Sequence, residues 1–111
     1  MKIVINIDDS MIEDLIITAV EGGSNYWCDF IGSSDGDVPY YKKVMSEGFL
    51  KCKDKNDNKI YHLDKEGIMK GINVMMDSYP HVFGNFIGEM GDSFTGDVFL
   101  QCCLFGDVIY G

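Results

Sequence analysis

The segment from Thr95 to Phe105 constrains the fold more than any other part of the sequence, because apolar side chains occupy nearly every side of it. A helix with this pattern has to be buried on all faces, so the rest of the chain must pack around it. Gly106 follows directly and predicts the helix end, since glycine adopts the left-handed conformation without a steric penalty. We therefore expect a central buried helix that is capped at its start by Thr95. Its main apolar positions are Val98, Phe99, Cys102, Cys103 and Phe105.

A second helix is predicted near the beginning of the sequence, where Asp8-Asp9-Ser10 signals a helix start. Ser10 and Glu13 have the spacing of a capping box, in which each side chain accepts a hydrogen bond from the other residue's backbone N–H. Gly22-Gly23 is expected to end this helix. The apolar stripe between these signals consists of Ile12, Leu15, Ile16 and Ala19.

A third helix is predicted to begin after Asp64 and to stop before Pro80. Gly67 and Gly71 lie four residues apart on it, and each costs roughly 1 kcal/mol relative to alanine. Their presence indicates that another element packs closely against this helix. A short helix from Tyr40 to Glu47 is also predicted. The buried face of the third helix is expected to contain Ile68, Ile72, Met75, Met76 and Tyr79.

Several short segments have the alternation or β-branched content of strands. Residues 54–59 are polar and predict a hairpin turn between two of them. The segment from Tyr26 to Ile31 is either a strand or an aromatic-rich loop, and residues 81–94 are either a binding loop or contain an unrecognised strand. The other predicted strands are Lys2 to Ile7, Phe49 to Lys53, Ile60 to Leu63 and Val108 to Tyr110.

These elements together predict an α+β fold, with a small, mainly antiparallel sheet packed against three to four helices. The 111 residues contain no linker-like stretch, so we expect one globular domain over residues 1–111. Hydrophobic residues make up 46% of the chain. This content is sufficient for a core that needs neither disulfides nor a metal ion.

The charge of the chain restricts its partners. Eighteen acidic residues oppose nine lysines and no arginine, so the net charge is −9. Direct binding of nucleic acid is therefore not expected, because phosphate contacts come from lysine and arginine. The first 47 residues hold nine acids and three lysines, a net charge of −6, and residues 72–111 hold five acids and no lysine. The acidic partner-binding candidates are Asp8, Asp9, Asp35 and Asp37.

The four cysteines and two histidines show no metal-ligand spacing, and adjacent Cys102 and Cys103 point about 100° apart on a helix. Cys52 and His62 are a Cys–His pair that a hairpin could bring together, although packing is much the better explanation for them. We therefore predict no metal, no cofactor and no enzymatic activity. Without a signal-peptide pattern or a long apolar run, no membrane contact is expected, and reduced thiols fit a cytoplasmic location.

Tyr26 and Trp27 are the aromatic candidates for recognition, since such a pair can stack on a base or anchor a protein interface. Core packing beside Gly22 and Gly23 is the competing interpretation. If the chain instead binds a small ligand, these two glycines and the two aromatic residues would form the site.

Two segments resemble a known family. The first is Glu21-Gly22-Gly23-Ser24-Asn25-Tyr26-Trp27, and the second, from Thr95 to Gly111, has the pattern D-x-x-x-Q-x-x-x-F-G-x-x-x-Y-G. Together with a lesser match at Leu63-Asp64-Lys65, they resemble small proteins from phages and mobile elements of low-GC Gram-positive bacteria. That family has no assigned activity, so no functional residue is carried over. Gly96 departs from it, since a small residue other than glycine, such as alanine, is expected there.

The resemblance implies a context in which small proteins often counter host defences. The leading hypothesis is an anti-CRISPR-like inhibitor that binds a host nucleic-acid-handling defence protein through its acidic surface. The alternatives are a sponge that sequesters a small nucleotide immune signal and a structural or regulatory phage protein. The sequence leaves the oligomeric state open, a homo-oligomer included.

Overall fold

Five α-helices and a three-stranded antiparallel sheet make up the part of the chain that the computed structural model describes, residues 5–111. The α+β class predicted from the sequence is confirmed. In chain order the elements are α1 (Asp9–Thr18), a π-helical turn (Ala19–Gly23), β1 (Cys28–Ser33), α2 (Tyr40–Val44), β2 (Leu50–Asp54), β3 (Ile60–Leu63), α3 (Lys65–Ser78), α4 (Pro80–Ile87) and α5 (Ser93–Phe105).

The sheet has the order β1-β2-β3, and each strand is antiparallel to its neighbour. Asp54 ends β2 and starts the hairpin, because its side chain accepts from the Asn56 N–H and its carbonyl from the Asn58 N–H. Asn58 has a φ of 62°, a left-handed conformation that asparagine tolerates. The polar turn predicted at residues 54–59 is therefore confirmed.

Helix α5 lies at the centre of the fold, as its all-round apolar pattern predicted. Its residues 95–102 are all buried, and it packs against α1, α3, α4 and the π-helical turn. The close approach of α3 occurs at Gly71. A Cβ atom placed there would lie 2.9 Å from both the Cα and the backbone nitrogen of Cys103. Glycine at this position lets the two helix backbones pack together.

Helices α1 and α5 begin earlier than predicted. Asp8 caps α1 by accepting from the Met11 N–H, so the capping box expected at Ser10 is wrong. Asp92 caps α5 by accepting from the Thr95 N–H, so Thr95 lies inside the helix instead of capping it. Asp64 caps α3 as predicted. In α1 and α5, the capping residue is an aspartate that lies two or three residues before the predicted cap.

Three predicted elements differ in the structure. Residues 81–94 contain most of α4, which begins at Pro80 and ends at Ile87, so this segment is not one long loop and contains no strand. Residues 108–110 are not in a strand. Of the strand predicted at Lys2 to Ile7, residues 5–7 are not in a strand and the others lie outside the described residues. Met76, predicted to be buried, is 43% exposed.

Candidate functional site

Asp97 on α5 is the centre of a buried hydrogen-bond network. It is 8% exposed and accepts from the Ser24 hydroxyl at 2.8 Å, the Trp27 indole N–H at 2.7 Å and the Gln101 amide at 3.1 Å. The Tyr26 hydroxyl donates to its second oxygen. Four hydrogen-bond donors thus satisfy this carboxylate without a cation. Three of them lie in residues 24–27, about 70 positions before Asp97 in the sequence.

Gln101, one helical turn further along α5, extends the network to the last residues of the sequence. Its side-chain oxygen accepts from the backbone N–H groups of Ile109 and Tyr110, at 2.8 and 2.9 Å. These N–H groups are therefore bonded to a side chain and not to a neighbouring strand. The Tyr110 hydroxyl in turn donates to the buried Asp54 at 2.6 Å.

Trp27 is a core residue, with only 1% of its surface exposed. Its ring lies 5.2 Å from that of Phe105 and 5.3 Å from that of Tyr110, centroid to centroid. Tyr26 differs, because about half of it (54%) is exposed. Burial of its hydroxyl, followed by the hydrogen bond to Asp97 and the charge of Asp97, raises the pKa of Tyr26 to about 12. Trp27 is therefore inaccessible to a ligand while this packing is intact, whereas part of the Tyr26 side chain faces solvent.

The two glycines of the proposed ligand site have different surroundings. Nothing lies within 4 Å of a Cβ atom placed on Gly22, whereas one on Gly23 would lie 2.4 Å from the Ser93 carbonyl oxygen. Gly23 therefore permits the π-helical turn to pack against the start of α5. A shallow pocket nearby includes Lys55, whose amine already binds the Asn25 carbonyl and lies 3.7 Å from the carboxylate of Asp29.

The four acidic candidates lie on the surface. Asp8 and Asp9 are exposed at the start of α1, and Asp35 and Asp37 are exposed on the loop before α2. Lys42 on α2 binds Glu13 of α1 at 3.0 Å and thereby joins the two elements.

A pocket of about 160 Å³ opens between α1 and the segment that connects α4 to α5. Its floor is apolar and its rim holds three carboxylates. Sequence reasoning did not identify this site, because it treated residues 81–94 as irregular. The pocket is lined by Met11, Asp14, Leu15, Thr18, Phe86, Glu89, Gly91 and Asp92.

The cysteines have the environment of core residues. Cys28, Cys52 and Cys102 are buried, and all four thiols are free. Burial raises the pKa of the Cys102 thiol to about 12. Cys52 does not face His62, because it pairs with Tyr61 across the hairpin while His62 is exposed and stacks on Phe49. Within the described residues, no three His, Cys, Asp or Glu side chains are grouped closely enough to hold a metal ion.

None of the helices found between residues 5 and 111 combines the length and the apolar character needed to cross a bilayer. Comparisons with protein-family models, with curated proteins and with solved structures gave no match to the chain. The geometry and charge of the described residues are therefore the basis for a functional proposal.

Proposed function

We propose that the chain is a non-enzymatic counter-defence protein of phages or mobile elements. In this proposal it inhibits a host nucleic-acid-handling defence protein, in the manner of anti-CRISPR proteins, by direct contact through its acidic surface. The observation that carries the proposal is the exposure of its carboxylates. Of the eighteen acidic residues, all are exposed except Glu13, Asp54, Asp64 and Asp97.

Few of these charges are neutralised internally. In the described part of the chain, the lysine–carboxylate pairs within 4.0 Å are Lys42–Glu13, Lys55–Asp29 and Lys70–Glu66. A surface of this kind attracts the lysine- and arginine-lined channels in which such defence proteins hold nucleic acid. Exposed carboxylates can occupy these channels in place of phosphates, which would exclude the nucleic acid.

The packing of Trp27 favours this proposal over capture of a nucleotide. A base could stack on Trp27 only if Phe105 or Tyr110 moved away from its ring and the network around Asp97 rearranged. The acidic surface needs no such rearrangement. The two proposals also predict different salt dependence, because exposed charges are screened by salt and aromatic stacking is not.

The test is capture of host proteins by the immobilised chain in ~0.1 M and ~1 M NaCl, where the screening length falls from about 10 to about 3 Å. We expect a nucleic-acid-handling protein to be retained at the lower salt, released at the higher salt, and displaced by its own nucleic acid. Replacing four acids by amides should weaken its retention at least tenfold. The substitutions are Asp8→Asn, Asp9→Asn, Asp35→Asn and Asp37→Asn.

Asparagine is also a good N-cap, so the change at Asp8 preserves the start of α1. The matched control removes the same charge at other exposed positions and should retain the partner within about twofold. Equal retention by the two variants, or a captured protein that nucleic acid does not displace, would contradict the proposal. The control substitutions are Glu47→Gln, Asp57→Asn, Glu66→Gln and Asp77→Asn.

A further inference from the structure

The pocket between α1 and the α4–α5 connection combines an apolar floor with an acidic rim. Leu15 and Phe86 are 5% and 4% exposed, so their accessible atoms form the floor. Asp14 lies on α1, Glu89 just after α4, and Asp92 at the start of α5. Two segments, α1 and the α4–α5 connection, thus bring three carboxylates to one opening.

These three carboxylates retain free acceptor oxygens. The side chains of Asp14 and Glu89 make no hydrogen bond or ion pair to another group in residues 5–111. One oxygen of Asp92 accepts from the backbone and hydroxyl of Thr95, and its other oxygen accepts no hydrogen bond within the same part of the chain. No lysine lines the pocket. The rim therefore has a negative charge that a bound cation could complement.

The connection that forms one wall has a defined backbone. The Met90 N–H donates to the Asn85 carbonyl at 2.8 Å, and the Glu89 N–H donates to the Phe86 carbonyl at 3.1 Å. Glu89 has a φ of 57°, a conformation that is uncommon for a residue other than glycine. Hydrogen bonds to α4 thus hold this turn, and they place Glu89 at the opening.

The size of the pocket limits its occupant to a single side chain. Its volume of about 160 Å³ is below the ~300–1,000 Å³ of sites that enclose a drug-sized molecule. A lysine or arginine side chain has an aliphatic stem that packs on apolar surface and a cationic head that stays near water. This chemistry matches the apolar floor and the acidic rim.

We propose that this pocket receives a lysine or arginine side chain of the partner protein. The aliphatic stem lies on Leu15 and Phe86, and the cationic head lies among the carboxylates of Asp14, Glu89 and Asp92. The inference rests on the proposed function in taking the occupant to be part of a basic protein surface. It adds a specific insertion point to an otherwise diffuse electrostatic contact.

The test on the isolated chain uses n-butylguanidinium as the probe in ~0.15 M salt, followed by the backbone amide signals in NMR spectra. We expect saturable shifts centred on Thr18, Glu89 and Gly91. Guanidinium, which lacks the stem, and n-butanol, which lacks the charge, should each bind at least tenfold more weakly. Shifts spread evenly over the acidic surface would overturn the inference.

Two variants test separately whether probe binding depends on the charge of the pocket and on its shape. Asp14→Asn, Glu89→Gln and Asp92→Asn together should weaken probe binding at least tenfold, whereas the matched control of Glu47→Gln, Asp57→Asn and Asp77→Asn should bind normally. Met11→Trp fills the pocket without changing its charge and should also prevent binding. Equal probe affinity in the pocket-acid and control variants, or normal binding by a folded Met11→Trp chain, would overturn the inference.

Capture of the host protein separates this inference from the proposed function. If the inference and the proposed function are both correct, two variants lose the partner. They are the Met11→Trp variant and the variant with Asp14→Asn, Glu89→Gln and Asp92→Asn. If the probe binds the pocket but no nucleic-acid-handling protein is captured, the proposed function fails and the pocket chemistry stands. If such a protein is captured equally by the wild type and both pocket variants, the proposed function stands and the insertion point is wrong.

Discussion

Asp97 is a buried carboxylate whose charge is stabilised by donors and not by a cation. Replacing it with asparagine preserves its shape but removes the charge and turns an amide N–H₂ toward groups that are themselves donors. Buried donors that lose their acceptor cost about 1–3 kcal/mol each. We expect Asp97→Asn to lower the free energy of unfolding by about 3 kcal/mol, as measured by urea denaturation.

Asp77→Asn is the matched control, since Asp77 is exposed on α3 and has no described hydrogen-bond partner. It should change the free energy of unfolding by less than about 0.5 kcal/mol. If both variants have the same stability, Asp97 does not hold Ser24 and Trp27 in the way its hydrogen bonds indicate.

Ionisation of the Tyr26 hydroxyl makes the free energy of unfolding depend on pH in the alkaline range. The pKa of its hydroxyl is about 12 in the folded chain and near 10 when unfolded. The contribution of this group is fully present below pH 10, and it is lost as the pH rises toward 12, because the unfolded chain ionises first. We expect a smaller loss of stability over this interval in Tyr26→Phe. Urea denaturation at several pH values measures the difference, and parallel curves for the two proteins would contradict it.

The sequence identified Trp27 as a candidate for recognition, but it did not show which residues Trp27 contacts. Asp97 and Gln101 are a polar pair at i and i+4 on an otherwise apolar helix. Sequence reasoning noted this spacing only as part of the family pattern and did not interpret it as a buried hydrogen-bonding pair. A polar side chain on a buried helix needs a buried partner. Which partner it finds could not be predicted, because Ser24 and Trp27 are about 70 positions away in the sequence.

The packing of α3 on α5 depends on Gly71. Alanine there would gain roughly 1 kcal/mol of helix propensity. However, its Cβ would lie 2.9 Å from backbone atoms of Cys103, which cannot move without shifting α5. We expect Gly71→Ala to lower the free energy of unfolding by about 1–3 kcal/mol, the usual cost of overpacking. Thermal or urea unfolding followed by circular dichroism measures this change.

Gly84 on α4 provides the opposite case. Nothing lies within 4 Å of a Cβ atom placed there. Gly84→Ala should therefore raise the free energy of unfolding, by up to about 1 kcal/mol. If Gly71→Ala also stabilises the protein, then α3 and α5 do not pack as closely as the structure indicates.

The helices with regular apolar stripes, α1 and α3, were predictable from periodicity, and so was the hairpin between β2 and β3. Helix α4 was not, because Gly84 lowers its helix propensity and Pro80 signals a stop as readily as a start. The segment 108–110 has the composition of a strand. The N–H groups of Ile109 and Tyr110 donate to Gln101, a tertiary contact that no local pattern contains.

The net charge of −9 acts on the molecule as a whole. Exposed carboxylates repel one another across the surface, and salt screens this repulsion. We expect the Tm to rise as NaCl increases from ~0.01 M to ~0.15 M, where the screening length falls from about 30 to about 8 Å. The variant with Glu47→Gln, Asp57→Asn and Asp77→Asn should show a smaller rise. A Tm that falls with added salt would mean that the three ion pairs outweigh the repulsion.

The Asp97 network has a consequence for synthesis of the chain. Trp27 emerges from the ribosome early, but its hydrogen-bond acceptor and the rings of Phe105 and Tyr110 follow only after some 70 further residues. Contacts over such a separation form late in folding. Until α5 has been made, α1 and the sheet have no helix to pack around, and their apolar faces stay exposed. We therefore expect that a nascent chain of this protein cannot complete its core stepwise, and that a chain interrupted before α5 is bound by chaperones or degraded.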